Sequence, residues 1–244
     1  MRRRAAALAA ALAAALIAAA AFLALPMAAT EAAYRSLADE VACNAAEGID
    51  WDALRAINPD IAAWLEVEGR PIDYPVVAQR DGDPDGYYLR RDLWRNRAHA
   101  GTLYLDRRST ADGAHALVYG HRLGWTEQMF STLWDAYKKE RLDTVGAASW
   151  STPDGGTVAF EPVCAARVEP TYAGIQHFGW RDDEALRSWL VGVCKDADAL
   201  AEGWEERVAT ARRVLTLVTC SDASGHSSTR TIVVFASSEA APEG

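Results

Sequence analysis

Two apolar runs near the C-terminal end constrain this chain more than any other feature. Val214-Leu-Thr-Leu-Val-Thr-Cys220 reads as one strand and Arg230-Thr-Ile-Val-Val-Phe235 as the next. Ile232-Val-Val-Phe235 is apolar at every position, so both of its faces need cover, which makes it a central strand. Side chains alternate at period two, placing Thr216, Val218 and Cys220 on one face. The connection 221–229 is rich in Ser, Gly, Asp and His and suits a turn. If the two strands pair, a thiol and a guanidinium meet at one end of a sheet. A fixed positive charge favours the thiolate, which is the nucleophilic form.

Eight strand candidates follow from the pattern: 62–67, 72–77, 102–106, 116–121, 144–150, 157–168, 213–220 and 230–236. Turn-rich stretches separate them, notably 79–86 and 152–156. Many short strands with few helices predict a mainly β chain, closed or sandwiched. Helical spacing is confined to three places. Tyr34, Leu37, Ala38 and Val41 form one stripe, and Trp51, Leu54 and Arg55 begin a second short run. Asp182 can cap a helix whose Leu186, Trp189, Leu190 and Val193 fall at i, i+3, i+4 and i+7.

A reactive thiol needs a base, and five histidines are available. His121 follows Ala116-Leu-Val-Tyr-Gly120, a run that reads as a buried strand leaving through a glycine. A histidine at the mouth of a strand can point into a cleft. His99 and His115 sit in polar loop sequence and are expected to be exposed. His177, beside Phe178 and Trp180, reads as a packed or rim residue. His226, in the turn after Cys220, is the rival by proximity. Proximity is a poor guide, because Cys–His partners are brought together by the fold. Thr219 reads as a packing or hydrogen-bonding neighbour. Asp222 either orients His121 or Arg230 or shapes the turn.

These residues carry a family resemblance. Thr216-Leu-Val-Thr-Cys220 resembles the TLxTC signature of the sortases, Arg230 lies at the family's spacing after the cysteine, and Tyr119-Gly-His121 is similar to its histidine strand. Asn58, Trp64-Leu-Glu-Val67, Ile72-Asp-Tyr-Pro-Val-Val77 and Gly101-Thr-Leu-Tyr-Leu-Asp106 agree in order. The likeness runs from about Ile57 to Phe235 and is strongest to class B, which has a helical prelude and a helix before the cysteine strand. It implies an eight-stranded sortase-type β-barrel with peripheral helices, and a cysteine transpeptidase with Cys220 as nucleophile, His121 as acid and base, and Arg230 as the cationic partner. The implied partners are exported proteins bearing a C-terminal sorting signal and an amine acceptor of cell wall or pilin. No cofactor or metal is implied. Arg122, directly after the histidine, and the turn 221–229 depart from the expected pattern and bear on substrate identity. Two other readings use the same residues: an exported thiol peptidase that mainly hydrolyses, and a non-enzymatic barrel that binds.

Composition bounds the rest. The 244 residues fit one domain of about 200 residues plus an N-terminal segment. A net charge of −9 argues against a nucleic-acid surface. Met1-Arg-Arg-Arg4 precedes an Ala/Leu-rich run from Ala5 to Leu25, which reads as an export signal. Its 21 residues favour a membrane anchor over a cleaved signal peptide, and the preceding arginines would leave the remainder outside the cell. The expected layout is a signal-anchor or signal peptide at 1–29, a helical prelude at 30–56, the catalytic domain at 57–238 and a tail at 239–244, with single-pass placement and the membrane as a partner. Cys43, Cys164 and Cys194 remain after Cys220 is assigned. They are too far apart in sequence to suggest zinc. Cys164, in an apolar strand pattern, and Cys194, ending the helix, read as small buried hydrophobes in preference to a disulfide.

Overall fold

The structure, a computed structural model, describes residues 2–43, 48–124, 126–221 and 228–240. The chain divides into two compact units, Met1–Gly48 and Ile49–Gly244. The first is one helix, α1 (Arg2–Cys43), with Pro26 inside it. Among the described residues no helix is long and apolar enough to cross a membrane. This corrects the expected single-pass placement and the membrane as partner. The physical reason lies in composition: bilayer insertion is driven by Leu, Ile, Phe and Val, whereas alanine fills most of 5–25.

Among its described residues the second unit holds nine strands: β1 (Ile61–Val67), β2 (Ile72–Val77), β3 (Leu103–Leu105), β4 (His115–Tyr119), β5 (Ala148–Thr152), β6 (Gly156–Val168), β7 (Ala199–Leu200), β8 (Arg213–Cys220) and β9 (Arg230–Ser237). The described residues also form the helices α2 (Trp51–Ile57), α3 (Lys139–Leu142), α4 (Asp183–Lys195) and α5 (Trp204–Thr210). The sheet order is β5-β1-β2-β3-β4-β8-β9-β6-β7, and β5 also pairs with β6. That extra pairing closes eight strands into a barrel and removes their edges. The mainly β barrel expected from the sequence is present.

Strand β6 makes closure possible. Its first half, Gly156 to Phe160, pairs with β5. Its second half, Glu161 to Val168, pairs with β9, with a register shift between Pro162 and Cys164. A proline cannot donate to a ladder, and a bulge there bends the strand. The two-residue β7 adds to β6 at Cys164 and Ala165. It was missed in the sequence because two residues carry no period. The fifth strand begins at Ala148 and not at 144; the preceding residues make turn bonds, Thr144 N to Arg141 O and Val145 N to Leu142 O.

Strand β9 lies between β8 and β6, and every residue from Thr231 to Ser237 is buried. The central-strand expectation holds because both faces are covered. One face packs beneath α4. Asp182 caps that helix, its carboxylate accepting from Ala185 N at 2.8 Å, with Asp183 and Glu184 in the first turn and Lys195 in the last. These charges complement the helix dipole. Leu186, Leu190, Val193 and Cys194 form the buried stripe and cluster with Val163, Cys164, Val214, Val218, Ile232 and Val234. Cys164 and Cys194 are both buried and free of disulfides, as expected. The side chain of Cys43 lies outside the described residues.

Gly120 closes β4 where no larger residue fits. A Cβ there would lie 2.5 Å from Leu103 Cδ2 and 2.6 Å from Phe130 Cδ2. Gly120→Ala should therefore destabilise the fold by about 1–3 kcal/mol through overpacking, measured as a lower urea midpoint with unchanged m-value. An unaltered midpoint would show that Leu103 and Phe130 give way at no cost.

Candidate active site

Three strands converge on one end of the barrel. Strands β8 and β9 pair antiparallel in continuous register from Arg213↔Ser237 to Cys220↔Arg230. Directly opposed residues place their Cβ atoms about 4.5–5.5 Å apart on one face. The thiol and the guanidinium are thus cross-strand neighbours. Strand β4 runs parallel to β8, with Tyr119 opposite Val218, and Gly120 N donates to Val218 O at 3.0 Å. Continued two residues, that register sets His121 level with Cys220. The three residues singled out in the sequence therefore lie toward one end of the sheet.

Cys220 and Arg230 are half-buried. One Arg230 guanidinium nitrogen donates to Thr229 O at 3.1 Å. Below the pair, the Ser221 and Thr229 hydroxyls bond to each other, clipping the strands where the turn begins. Thr231 is buried, and its hydroxyl donates to the Trp134 carbonyl, so the segment around Trp134 is sewn to β9 beside Arg230. Arg122 stacks over the Trp134 ring at 4.1 Å, which gives this unexpected residue a place at the rim. Thr219 is buried opposite Thr231, and its hydroxyl has no hydrogen-bond partner among the described residues. It packs, and the hydrogen-bonding alternative is not seen. His226 and Asp222 lie outside the described residues.

His121 is fixed from two sides. Phe130 N donates to its carbonyl at 3.1 Å, and its Nε2 lies 2.6 Å from Leu89 O. Burial lowers its basicity; the Leu89 carbonyl opposes this, while His99, Arg90 and Arg230 add to it by charge repulsion. Just past β3, level with Leu117, Asp106 is buried but fully engaged. Arg108 grips it with Nε at 2.8 Å and a terminal nitrogen at 2.7 Å, and Tyr119 donates its hydroxyl at 3.0 Å. Burial pushes the Asp106 carboxyl up, but the Arg108 and Tyr119 contacts hold it below the usual carboxylate range. A carboxylate so occupied is a structural anchor and not a free base. Tyr104 stacks on Tyr119 with centroids 5.3 Å apart.

Sequence reasoning missed two features. The Leu89 carbonyl left no signal, because a main-chain oxygen is anonymous in sequence. His115 was expected to be exposed and is 2% exposed, on β4. The polar neighbours Asp112 and Gly113 suggested a loop, but the ring is wrapped by Phe178, Trp180 and Trp189, with centroids at 5.6, 6.2 and 5.2 Å. Its Nδ1 meets His177 O at 2.8 Å and its Nε2 meets Thr216 Oγ1 at 2.9 Å. His99 is exposed, as expected. His177 is an exposed rim residue edge-on to Trp180 at 4.8 Å.

The closed eight-strand barrel, with α4 before the cysteine strand, has the sortase fold. No protein-family model matches the chain. Sortase B of Listeria monocytogenes serovar 1/2a is 32% identical over 72 residues, 29% of this chain and 28% of that protein. Sortase B of Staphylococcus aureus strain NCTC 8325 is 24% identical over 186 residues, 75% of this chain and 72% of that protein. In structure, the S. aureus sortase B–substrate complex matches with a TM-score of 0.73 at 21% identity, covering 87% of this chain and 97% of that one. Clostridium perfringens sortase B matches with a TM-score of 0.64 at 22% identity, covering 76% and 97%. At these identities the structural likeness speaks for the fold. Sequence and fold agree, and the resemblance to class B sortases read from the motifs is borne out.

The buried His115 makes stability depend on pH. Burial lowers its pKa to about 4 in the folded chain, against the ordinary 6.5; the His177 carbonyl and Asp106 oppose the shift, and His177 adds to it. Below pH 6.5 the unfolded chain takes up a proton that the folded chain refuses. Stability is therefore complete above pH 6.5 and is lost as pH falls toward 4, by on the order of 3 kcal/mol. Urea unfolding of the wild type and of His115→Phe at pH 7.5 and pH 4.5 measures this. An equal loss in both chains would remove His115 as the cause.

Proposed function

We propose that this protein is a class B-like sortase, a cysteine transpeptidase acting on the C-terminal sorting signal of exported proteins. One observation carries the reading: Cys220 and Arg230 are register partners at the strand end where His121 leaves β4. The Cys220 thiolate attacks the scissile carbonyl. The carbon–nitrogen bond breaks, and His121 as imidazolium gives its proton to the departing amine. The acyl group is held as a thioester. An incoming amine then loses its proton to His121 and attacks; the carbon–sulfur bond breaks and the thiolate returns. Arg230 offers a permanently charged fork for the oxyanion or for substrate carbonyls.

The structural relatives support this choice of substrates. S. aureus sortase B has been solved as a substrate complex. A sortase B has also been crystallised with triglycine, which carries a free amine. For the present chain a sorting-signal peptide is the proposed donor and a cell-wall or pilin amine the proposed acceptor. Hydrolysis alone is the competing outcome, since water can replace the amine at the thioester.

The test is a cleavage assay on a fluorogenic sorting-signal peptide with and without triglycine, product identity being read by mass spectrometry. Ligated product is expected with triglycine; hydrolysed product alone, at every triglycine concentration, would make the enzyme a peptidase. Cys220→Ala should abolish both cleavage and transfer while the circular dichroism spectrum stays that of the wild type. His121→Ala should lose about 10²–10⁴-fold in turnover, and His226→Ala little. Cleavage by folded Cys220→Ala at the wild-type rate would place the nucleophile elsewhere.

Charge and geometry at position 230 separate in a further variant. Arg230→Lys keeps the charge but replaces a planar fork by one rotatable ammonium. Its kcat/KM should fall by about 10²-fold, the cost of losing one oxyanion donor. Near-normal activity would mean that charge alone suffices.

A further inference from the structure

The contact between His121 Nε2 and Leu89 O, at 2.6 Å, has a chemical consequence. A carbonyl only accepts, so Nε2 carries the hydrogen. In the neutral ring Nδ1 is then the nitrogen with the lone pair. The tautomer of His121 is thus set by the position of one main-chain oxygen, and that oxygen is held with unusual care.

Leu89 lies in the 3-10 turn Tyr87–Arg90. Its neighbours are tied down: Thr102 N donates to Tyr88 O at 3.0 Å, and Ala98 N to Arg90 O at 3.1 Å. Tyr88 is fully buried. Its hydroxyl donates to Asp60 Oδ2 at 2.5 Å and accepts from Asn58 Nδ2 at 3.0 Å. Asn58 also donates to Leu93 O at 2.8 Å. Arg95 reaches Asn58 Oδ1 at 3.1 Å and Asp60 Oδ2 at 2.9 Å, and Arg80 closes Asp60 Oδ1. Arg95 has φ +65°, a conformation that non-glycine residues adopt only at a cost. On the other side stands Gly101, at φ +63°, where a Cβ would lie 2.7 Å from Tyr88 O and 2.8 Å from Leu89 O. The Leu89 peptide is therefore gripped between a buried polar knot and a glycine backbone.

We propose that Tyr88, the Asn58–Asp60–Arg95 knot that holds it, and Gly101 are positioning residues that set the Leu89 carbonyl and so keep His121 in its Nε2–H form, with Nδ1 as the nitrogen that exchanges protons. The proposal rests on His121 acting as acid and base. The groups facing His121 are Arg90 and His99 from the same segment, Arg230 from β9, and by register the Cys220 thiol of β8. The cations among them disfavour a second positive charge on the ring, and the Leu89 carbonyl favours it. Displacing the carbonyl should free the tautomer and lower the pH at which the ring titrates.

Nitrogen-15 NMR of the histidine-labelled full chain reads both properties without turnover. Tyr88→Phe keeps the ring volume and deletes the hydroxyl; Gly101→Ala drives a methyl group at the Leu89 carbonyl. The wild type should show His121 as the Nε2–H tautomer. Both variants should show mixed tautomers, titration at lower pH, and kcat reduced by about ten-fold to a hundred-fold with KM nearly unchanged. If Gly101→Ala does not fold, Tyr88→Phe carries the test alone. An Nδ1–H wild type, or variants with wild-type circular dichroism and an unaltered His121 signal, would overturn the inference. An inactive wild type that keeps the Nε2–H signature would instead sink the functional reading, so the two failures can be told apart.

Discussion

The register between β8 and β9 is the constraint on which the rest of the structure depends. Eight consecutive pairs, from Arg213↔Ser237 to Cys220↔Arg230, run without a shift. A slip of one residue would send every side chain of a strand to the other face, separating the thiol from the guanidinium. The register is protected because both faces are buried. Val214, Val218, Ile232 and Val234 lie under α4, and Leu215, Leu217, Val233 and Phe235 are fully buried on the opposite face. A slip would gain nothing on either side and would break the β6 and β4 pairings as well.

The barrel concentrates its irregularities around the reactive end. Gly120 ends β4 against Leu103 and Phe130, and Gly101 sits backbone to backbone with Leu89. The buried Asp60 shows how the segment between β2 and β3 is held. Burial pushes its carboxyl up, yet the hydrogen bonds from Tyr88 and Arg80 and the charges of Arg95 and Arg80 hold it below the usual range. A half-satisfied network at this depth would cost more than an apolar one. The bonds to Asp60 and Asn58 leave it well satisfied, which suits a segment that has to present one carbonyl in one place.

Charge is distributed unevenly. The chain as a whole carries −9, but Arg90 and Arg230 act on His121. The charges of Arg90 and Arg230 disfavour an imidazolium. The proposed chemistry needs one, so the Leu89 carbonyl, which favours the charged ring, matters more here than one hydrogen bond would on a neutral surface. The opposite strategy is seen at His115, which is kept neutral by burial among Phe178, Trp180 and Trp189 and serves packing.

The sequence by itself determined the elements with strong period or strong chemistry. The two C-terminal strands, the Asp182-capped helix with its Leu186 and Leu190 stripe, and the cysteine, arginine and histidine at strand ends were legible because local alternation and capping carry that information. It did not determine what depends on distant partners. The two-residue β7 exists only because β6 offers an edge at Cys164 and Ala165. His115 looked like loop because its polar neighbours spoke for it, and only the segment around Phe178 and Trp180 buries it. An alanine-rich stretch has the length of a membrane span with few of the side chains that drive insertion. The Leu89 carbonyl was beyond any reading of side chains, since a main-chain oxygen acquires an identity only when the fold aims it. That is the physical division: periodicity and capping are written along the chain, whereas closure, burial of a polar ring and the aim of a backbone dipole are decided by residues that meet only in three dimensions.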